Sequence, residues 1–429
     1  MRYQNRRHTS LLELGNDLCK PLQDHITTDY LVIGGGVAGL HAAKYLIEQW
    51  CQVTLIEKNI CGWGMSWRSG GFLTPDSELG LRQIESIYGE KIARKLWNYG
   101  EIGQQLIVQS VKDHELYCDL RDDDSLLLWL GKAGLGSVHN EYDIRHQYWF
   151  DAELVDIKKL RTKNTAHCYS GGVRYTNCYA INPAQYCQEL KTYLISQWVK
   201  VYEFSEIKKI ESHKVSTNLG SITFNKSIWC LGKTDHKLDK HKAANTYGIM
   251  NYITISEPLT EQQVRDIMPL GNCMCRDTQM VFSYYRITGD NRLVLGGWDA
   301  FNSFQPFEIY HDHVIKSVIK QICDVFPSLH DVHFDNYRSG RIEATKDLMP
   351  MIGRDIQFPN HLWVQWCVWL PWAAASGRHA AQQLLGEFTD PDLDAVFNPS
   401  RPFLLWLQTN NLILKPIIFG LSNAKVMFG

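Results

Sequence analysis

Residues 29–39, with the sequence DYLVIGGGVAG, predict the central unit of the fold. The apolar run at residues 29–33 is typical of a buried parallel strand. Helical periodicity follows over Leu40–Gln49, and Gln52–Glu57 predicts the next strand. Together these segments predict one βαβ unit.

Three glycines between the first strand and the helix match a dinucleotide-binding fingerprint. Gly34 permits a tight turn, Gly36 lets the backbone approach a pyrophosphate, and Gly39 allows close packing of helix and strand. The positive end of the helix dipole faces the phosphates. Glu57 ends the second strand about 20 residues further on and would accept hydrogen bonds from both ribose hydroxyls. The segment predicts an adenine-dinucleotide site, and a tight turn that binds nothing is the alternative.

A second loop, rich in glycine, serine and arginine, follows Glu57 at once. Its sequence at residues 58–71 is KNICGWGMSWRSGG. A flavin site needs such a loop, because it runs along the pyrophosphate toward the isoalloxazine ring. This stretch resembles the segment GWGASGR(N/S)GG of the D-amino-acid oxidase/glycine oxidase superfamily of FAD-dependent oxidoreductases. The resemblance is greatest to the branch that contains gamma-glutamylputrescine oxidase.

The resemblance extends from residue 27 to about residue 400. Tyr252–Leu259 is similar to the family's strand after the flavin domain, Asp277–Trp298 to its substrate-domain hairpin, and Tyr337–Arg354 to its closing segment. It implies non-covalently bound FAD and oxidation of a C–N bond of an amine or amino acid. A hydride would pass to flavin N5, and oxygen or another acceptor would reoxidise the flavin. No second strand–GxGxxG–helix segment is found, so a dedicated NAD(P)H site is not expected.

The fingerprint and the resemblance together assign the cofactor contacts. The residues expected to bind FAD are Gly34, Gly36, Val37, Ala38, Gly39, Glu57, Lys58, Gly64, Met65, Ser66, Arg68, Gly70, Gly71, Ile207, Cys230, Gly232, Gly340, Pro371 and Trp372.

The expected fold is α/β, with a discontinuous Rossmann-like FAD-binding domain and a mostly antiparallel α+β substrate domain. Expected local elements include a helix over Leu81–Gln109, a helix capped by Asn182, and a hairpin of Val281–Thr288 with Arg292–Trp298. The predicted segments are an N-terminal arm (1–28), the FAD-binding domain (29–75, 176–239 and 336–400), the substrate domain (76–175 and 240–335) and an apolar helical tail (401–429).

The segment before the last predicted helix departs from the family. Members usually carry Gly-Phe-Ser-Gly-His-Gly there, whereas this chain has the sequence CVWLPW at residues 367–372. Pro371 suits a helix start, and the N–H groups of Trp372 and Ala373 would remain free to point at flavin O2. Trp369 and Trp372, with Trp363 and Trp366 upstream, would either pack a reshaped core or form an aromatic cage for a cationic amine. Loss of flavin binding is a third outcome.

Tyr284 and Arg286 are candidate residues for orienting the substrate. Alternate side chains of a strand point to one face, so both would face the flavin, and Arg286 would bind a carboxylate. The alternative is an arginine on the sheet surface. No side-chain base is named, because in this chemistry the cofactor carries the reaction.

Other pairs of reactive residues carry weaker signals. His311 with His313, and Cys273 with Cys275, lack partners at the spacing of a metal site, so no metal is expected. The context of the two cysteines does not match covalent flavin attachment.

Composition limits the class of protein. The chain has 429 residues and a net charge of −2, so no basic excess favours nucleic-acid binding. Twelve scattered cysteines and no signal peptide indicate free thiols in the cytoplasm. No transmembrane helix is expected, and Phe403–Leu421 predicts a packed helix pair or an interfacial membrane contact. The rival function is a degenerate flavoprotein fold with a binding or scaffold role.

Overall fold

The computed structural model describes residues 18–130, 135–232, 245–277, 283–299, 312–355, 357–365 and 369–402. In these ranges the chain forms two eight-stranded sheets, a small three-stranded sheet and the helices that pack on them. None of the described helices is long and apolar enough to cross a lipid bilayer. The helices are α1 (Val37–Glu48), α2 (Leu81–Tyr88), α3 (Glu90–Asp113), α4 (Leu135–Gln147), α5 (Ile157–Lys163), α6 (Pro183–Ser196), α7 (Glu261–Ile267), α8 (Asp312–Val325), α9 (Leu370–Leu385) and α10 (Pro391–Phe397).

The first large sheet is parallel at its centre. Strand β1 (His25–Ile33) pairs with β2 (Val53–Ile56) on one side and with β12 (Ser221–Cys230) on the other. β9 (Lys200–Tyr202) extends the sheet beyond β2, and β19 (His361–Gln365) extends it beyond β12. The order β9-β2-β1-β12-β19 is that of a Rossmann-like fold, in which ligands bind at the carboxyl ends of the strands. Antiparallel strands complete this sheet: β10 (Lys209–Glu211), β11 (Lys214–Ser216) and β18 (Met351–Arg354).

Strand β1 begins four residues earlier than the sequence predicts. Its apolar end, Leu31–Ile33, is buried, as expected for a strand with helices on both faces. The polar stretch His25–Thr28, which was assigned to the N-terminal arm, pairs with Ser221–Phe224. The predicted end of the arm at residue 28 is therefore wrong. The composition of His25–Thr28 concealed a strand whose stability comes from its partner β12.

The second large sheet is antiparallel except where β5 (Asp124–Leu130) pairs with β14 (Cys273–Asp277). A small sheet consists of β3 (Phe72–Leu73), β8 (Tyr179–Ala180) and β4 (Arg121–Asp122), with β8 paired to both of the others. In spatial order the strands of the antiparallel sheet are β17 (Phe334–Thr345), β13 (Thr246–Pro258), β16 (Arg292–Asp299), β15 (Ser283–Ile287), β14 (Cys273–Asp277), β5 (Asp124–Leu130), β7 (Tyr169–Tyr175) and β6 (Glu153–Val155).

The predicted α/β fold class is confirmed, and the hairpin of β15 with β16 lies where the sequence places it. β17 was assigned to the FAD-binding domain from residue 336 onward, yet it pairs along its length with β13 in the antiparallel sheet. The division of the chain into two domains stays a prediction.

Two helix predictions have different outcomes. The single helix expected over Leu81–Gln109 is two helices, because Gly89 adopts a φ of 80° and breaks the helical backbone. Asn182 caps α6 as expected, and its side-chain oxygen accepts the N–H groups of Ala184 and Gln185. The predicted C-terminal helix pair at residues 403–421 lies outside the described residues.

Three helices end with a tryptophan in the left-handed conformation. Trp50, Trp149 and Trp198 have φ values of 61°, 61° and 69°, at a position that usually carries glycine. After α1, for example, the N–H of Cys51 bonds the carbonyl of Leu46 at 3.1 Å, which is a Schellman motif. The three indoles are 91–96% exposed, so packing does not offset the backbone strain.

Candidate functional site

The fingerprint glycines differ in what surrounds them. Gly34 has a φ of +103°, and a Cβ atom there would overlap the carbonyl oxygen of Cys230. A Cβ at Gly39 would overlap the carbonyl oxygen of Gly34. A Cβ at Gly36 would have only the Ser66 hydroxyl, at 3.2 Å, within 4 Å. Gly34 and Gly39 therefore serve the packing of the turn, whereas Gly36 faces open space.

The first turn of α1 presents backbone donors to that space. The N–H of Val37 donates to the Ser66 hydroxyl at 3.1 Å, which ties the second loop to the helix. In the part of the chain that the structure describes, the N–H groups of Gly36 and Ala38 have no protein acceptor. Backbone donors of this kind at a helix N-terminus bind phosphate groups.

Glu57 lies beside these donors at the end of β2. Its two carboxylate oxygens accept the N–H groups of Gly35 at 2.8 Å and Asn59 at 2.9 Å. Burial raises the pKa of Glu57, and the two backbone hydrogen bonds oppose this shift. Each oxygen keeps a lone pair, so the carboxylate can still accept from ribose hydroxyls.

The second loop folds over the fingerprint turn. The N–H of Gly62 donates to the carbonyl of Gly35 at 2.8 Å. No atom lies within 4 Å of a Cβ built at Gly64, so this part of the loop also borders open space. The Met65 side chain lies beside Gly232, and the Arg68 guanidinium lies beside Gly340. The second loop thus packs against the fingerprint turn and lies beside Gly232 and Gly340.

Other predicted contacts lie apart from that space or only support it. Lys58 is exposed, and Ile207 packs against the hydrophobic cluster around Phe224 and Trp229. Gly71 has a φ of +79° and packs against the carbonyl of Ile181, so it fixes the end of the loop.

A cavity of about 70 Å³ opens between the second loop, the antiparallel sheet and the start of α9. Of the predicted site residues it brings together Met65, Arg68, Gly70, Tyr284 and Trp369. The complete lining is Met65, Arg68, Ser69, Gly70, Phe72, Glu78, Asn251, Arg276, Tyr284, Ile342, Trp369 and Leu370.

Arg286 does not line the cavity, so neither expectation for this residue is correct. It is 3% exposed, and it donates to the backbone carbonyls of Gly70 at 2.5 Å and Ile181 at 2.7 Å. Burial lowers the pKa of Arg286 to about 10. Strand alternation gave its face of the sheet correctly, but its guanidinium reaches the second loop and holds the backbone there.

The tryptophans at the start of α9 have different environments. Trp369 lines the cavity, whereas Trp372 is buried in the core, where its indole donates to the carbonyl of Pro75 at 3.3 Å. The expectation that the Trp372 indole contacts the flavin or substrate is therefore corrected. Trp363 stacks on Trp229 with ring centroids 4.9 Å apart, and Trp366 lies outside the described residues.

One of the two backbone donors expected at this helix end is already used. The N–H of Ala373 donates to the carbonyl of Trp369 at 2.9 Å, because α9 begins at Leu370 rather than at Trp372. Pro371 has no N–H, so of the two expected donors the N–H of Trp372 remains.

Sequence reasoning missed Glu78, Arg276 and Asn251 in the cavity wall. Burial raises the pKa of Glu78 to about 7, although the positive charge of Arg276 opposes this shift. These residues belong to segments far apart in the chain, and no local motif surrounds Glu78. They meet only in the folded chain, where the segment that contains Glu78 lies beside Arg276 of β14 and Asn251 of β13.

The cysteine pair of β14 lies in the core of the antiparallel sheet. Cys273 and Cys275 are buried, with their sulfurs 3.5 Å apart, and neither borders the cavity. The described residues contain no group of three or more potential metal ligands. His311 lies outside those residues.

The site fits FAD by the chemistry of its own atoms. Free backbone donors at a helix N-terminus suit a pyrophosphate, and a carboxylate with spare lone pairs suits a ribose. The adjoining cavity joins the second loop to Trp369, where a flavin ring is expected.

Several known proteins are similar to this chain in sequence or in fold. Residues 29–383 match the family model described as "DAO: FAD dependent oxidoreductase". The chain is 27% identical to gamma-glutamylputrescine oxidoreductase of Escherichia coli over 78% of each chain. Its fold is similar to glycine oxidase of Geobacillus kaustophilus, with TM-score 0.75, 15% identity, and 88% of this chain and 99% of that chain covered. L-amino acid deaminase of Proteus vulgaris has TM-score 0.70, 14% identity, and coverage of 90% and 96%.

Proposed function

The chain belongs to the DAO family of FAD-dependent oxidoreductases, and from this we propose that it oxidises the C–N bond of an amine or amino acid to an imine. The observation that carries the proposal is the cavity in which Met65 and Gly70 of the second loop meet Tyr284 and Trp369. This cavity borders the second loop, which packs on the fingerprint turn, so a substrate in it would be beside the flavin end of the cofactor.

The residues of this chain would bind the cofactor and enclose the substrate. The N–H groups of Gly36 and Ala38 would bind phosphate oxygens, and Glu57 would accept from the ribose. FAD, when bound, supplies the acceptor for the hydride that leaves the carbon bearing nitrogen. Phe72 and Ile342 give the cavity an apolar wall that keeps water from the reacting carbon. The imine then hydrolyses, and oxygen or another acceptor takes the electrons.

The names of the relatives support an amine or amino acid as substrate, because they describe an oxidoreductase of gamma-glutamylputrescine, a glycine oxidase and an amino acid deaminase. A purely structural role for the fold is not favoured by the family match. We also propose a cytoplasmic location, since all eleven described cysteines are free thiols.

The test is anaerobic reduction of the purified, FAD-loaded protein. We expect a yellow protein that bleaches on addition of at least one member of a panel of amines and amino acids. Precipitation with acid should leave the flavin in solution, because attachment is predicted to be non-covalent. A flavin that stays oxidised with every member of the panel would refute the proposed reaction.

A further inference from the structure

Most polar groups in the cavity wall already have partners within the protein. The side-chain amide of Asn251 donates to the carbonyl of Arg68 at 3.1 Å and accepts from the Tyr284 hydroxyl at 3.4 Å. The Ser69 hydroxyl accepts the N–H of Gly71 at 3.2 Å. Charged side chains therefore decide which ligand the cavity prefers.

The charge of Arg276 is balanced inside the wall. Its guanidinium bonds Asp76 at 3.0 Å, and the same carboxylate oxygen bonds Arg145 at 2.9 Å. Arg145 in turn bonds Glu141 at 2.7 Å. The two arginines and two carboxylates compensate each other. A substrate carboxylate at Arg276 would add a third negative charge to two arginines that Asp76 and Glu141 already neutralise.

Glu78 adds a further carboxyl to this wall. It is half-buried at the cavity, and in the described ranges no lysine or arginine lies within ion-pair distance of it. The ring of Trp369 lies beside it and already has the Arg276 guanidinium 5.2 Å from its centre. A carboxylate next to an indole ring attracts a cation. Arg68, the other cation of the lining, belongs to the loop assigned to FAD.

We propose that Glu78 binds the ammonium group of the substrate, so that the cavity takes aliphatic amines that need no α-carboxylate. The inference rests on the proposed function and extends it by naming the group that selects the substrate. Arg286 is not part of the cavity lining, and its Nε and Nη2 groups donate to Gly70 and Ile181.

Glu78 also takes the proton that the ammonium must lose before its carbon can release a hydride. One N–H bond of the substrate breaks and one O–H bond forms on the carboxyl, so both charges disappear and no oxidant is consumed. The pKa of Glu78, about 7, suits proton exchange near neutral pH. Of the groups that face it, Asp76 raises this pKa and Arg276 lowers it. Tyr284 stays neutral, because burial raises its pKa to about 12.

The test uses two probes of the same shape and opposite charge on the FAD-loaded protein. Neither tert-butylamine nor pivalate has a hydrogen on the carbon next to its charged group, so neither is oxidised. Binding is followed by the change in the flavin absorption spectrum and by calorimetry. We expect tert-butylamine to bind at least about tenfold more tightly than pivalate, the scale of one charged hydrogen bond. Equal binding, or tighter binding of pivalate, would overturn the inference.

A pair of variants identifies the group responsible. Glu78→Gln should weaken tert-butylamine binding about tenfold or more. In the wild type we expect the affinity for the amine to fall below about pH 7, as Glu78 becomes protonated, and Glu78→Gln should lack this pH dependence. Glu101→Gln is the control, since Glu101 is an exposed carboxyl on α3 outside the cavity, where it accepts the indole N–H of Trp97 at 3.3 Å. It should bind the amine like the wild type. Unchanged affinity in FAD-loaded Glu78→Gln would refute the role of Glu78.

Failure of this inference and failure of the proposed function give different results. If the flavin is reduced by amino acids and by no simple amine, the reaction stands and the role of Glu78 fails. If no compound reduces the flavin, the reaction fails, while probe binding still measures the selectivity of the cavity.

Discussion

At Gly36 the fingerprint turn faces open space, whereas at Gly34 it packs against the protein. Substitutions at the two glycines should therefore have different effects, one on FAD binding and one on stability. Gly36→Val should leave a folded protein without FAD, because the branched side chain occupies the place of the pyrophosphate. Gly34→Ala should destabilise even the flavin-free protein by about 1–3 kcal/mol, owing to its positive φ and the carbonyl of Cys230. Flavin content and the melting temperature without and with added FAD separate the two effects. Full flavin content in Gly36→Val would mean that another loop holds the phosphates.

Glu78 also predicts how stability depends on pH. Its pKa in the folded protein, about 7, is above the ordinary value of 4.5, so folding favours the protonated form. This contribution is complete below about pH 4.5 and is lost as the pH rises through 7, with a size of about 1–3 kcal/mol. Glu78→Gln is always neutral and should gain stability relative to the wild type between about pH 5 and about pH 8. Urea unfolding of the flavin-free proteins measures the difference. Parallel curves for the two proteins would contradict the raised pKa.

The helix ends show how an element tolerates a locally unfavourable residue. Trp198 adopts a left-handed conformation after α6 and is 92% exposed, so its indole gains little from packing. Trp198→Gly should raise the free energy of unfolding by about 0.5–1 kcal/mol, because glycine adopts this conformation without strain. Trp198→Ala keeps the Cβ atom and should gain little, which makes it the matched control. Equal gains in both variants would show that the indole, and not the backbone, was unfavourable. Denaturant titration of both proteins makes the comparison.

Helix α9 presents one tryptophan to the core and another to the cavity. Trp372→Ala should cost about 3–5 kcal/mol, because its indole packs against Tyr99 and Phe397 in the core. Trp369→Ala should cost less and change ligand binding instead, since that ring lines the cavity. Unfolding experiments and tert-butylamine binding on each variant measure the two effects. A larger stability loss for Trp369→Ala would reverse the assignment.

Over the whole molecule, the predictions that held are those encoded within short stretches of chain. The strand β1, the turn at Gly34, Gly36 and Gly39 and the helix α1 follow one another in the chain, and their residue types limit the backbone directly. The hairpin of β15 and β16 has its own turn, so it too could be predicted.

Contacts between distant segments were not predictable in the same way. Asp76 meets Arg145 and Arg276 across the fold, and no spacing in the sequence brings these three together. Alternation placed Arg286 on the correct face of its strand, but it could not predict that the guanidinium donates to the carbonyl of Gly70. The extension of β1 to His25 likewise depended on its neighbour β12, which follows almost 200 residues later.

The strained tryptophans have an optical consequence. Trp50 precedes β2 and Trp198 precedes β9, and these strands are neighbours in the parallel sheet. Both indoles therefore lie at its amino-terminal edge, opposite the fingerprint turn. Water relaxes around excited indoles at the surface, so their fluorescence should be red-shifted and quenched by iodide, whereas the stacked pair Trp229 and Trp363 should be protected. Bound flavin absorbs at the wavelengths where indoles emit, and it should darken Trp369 most. The emission that remains in the holoprotein would include that of Trp50 and Trp198 and so report on the sheet edge farthest from the chemistry.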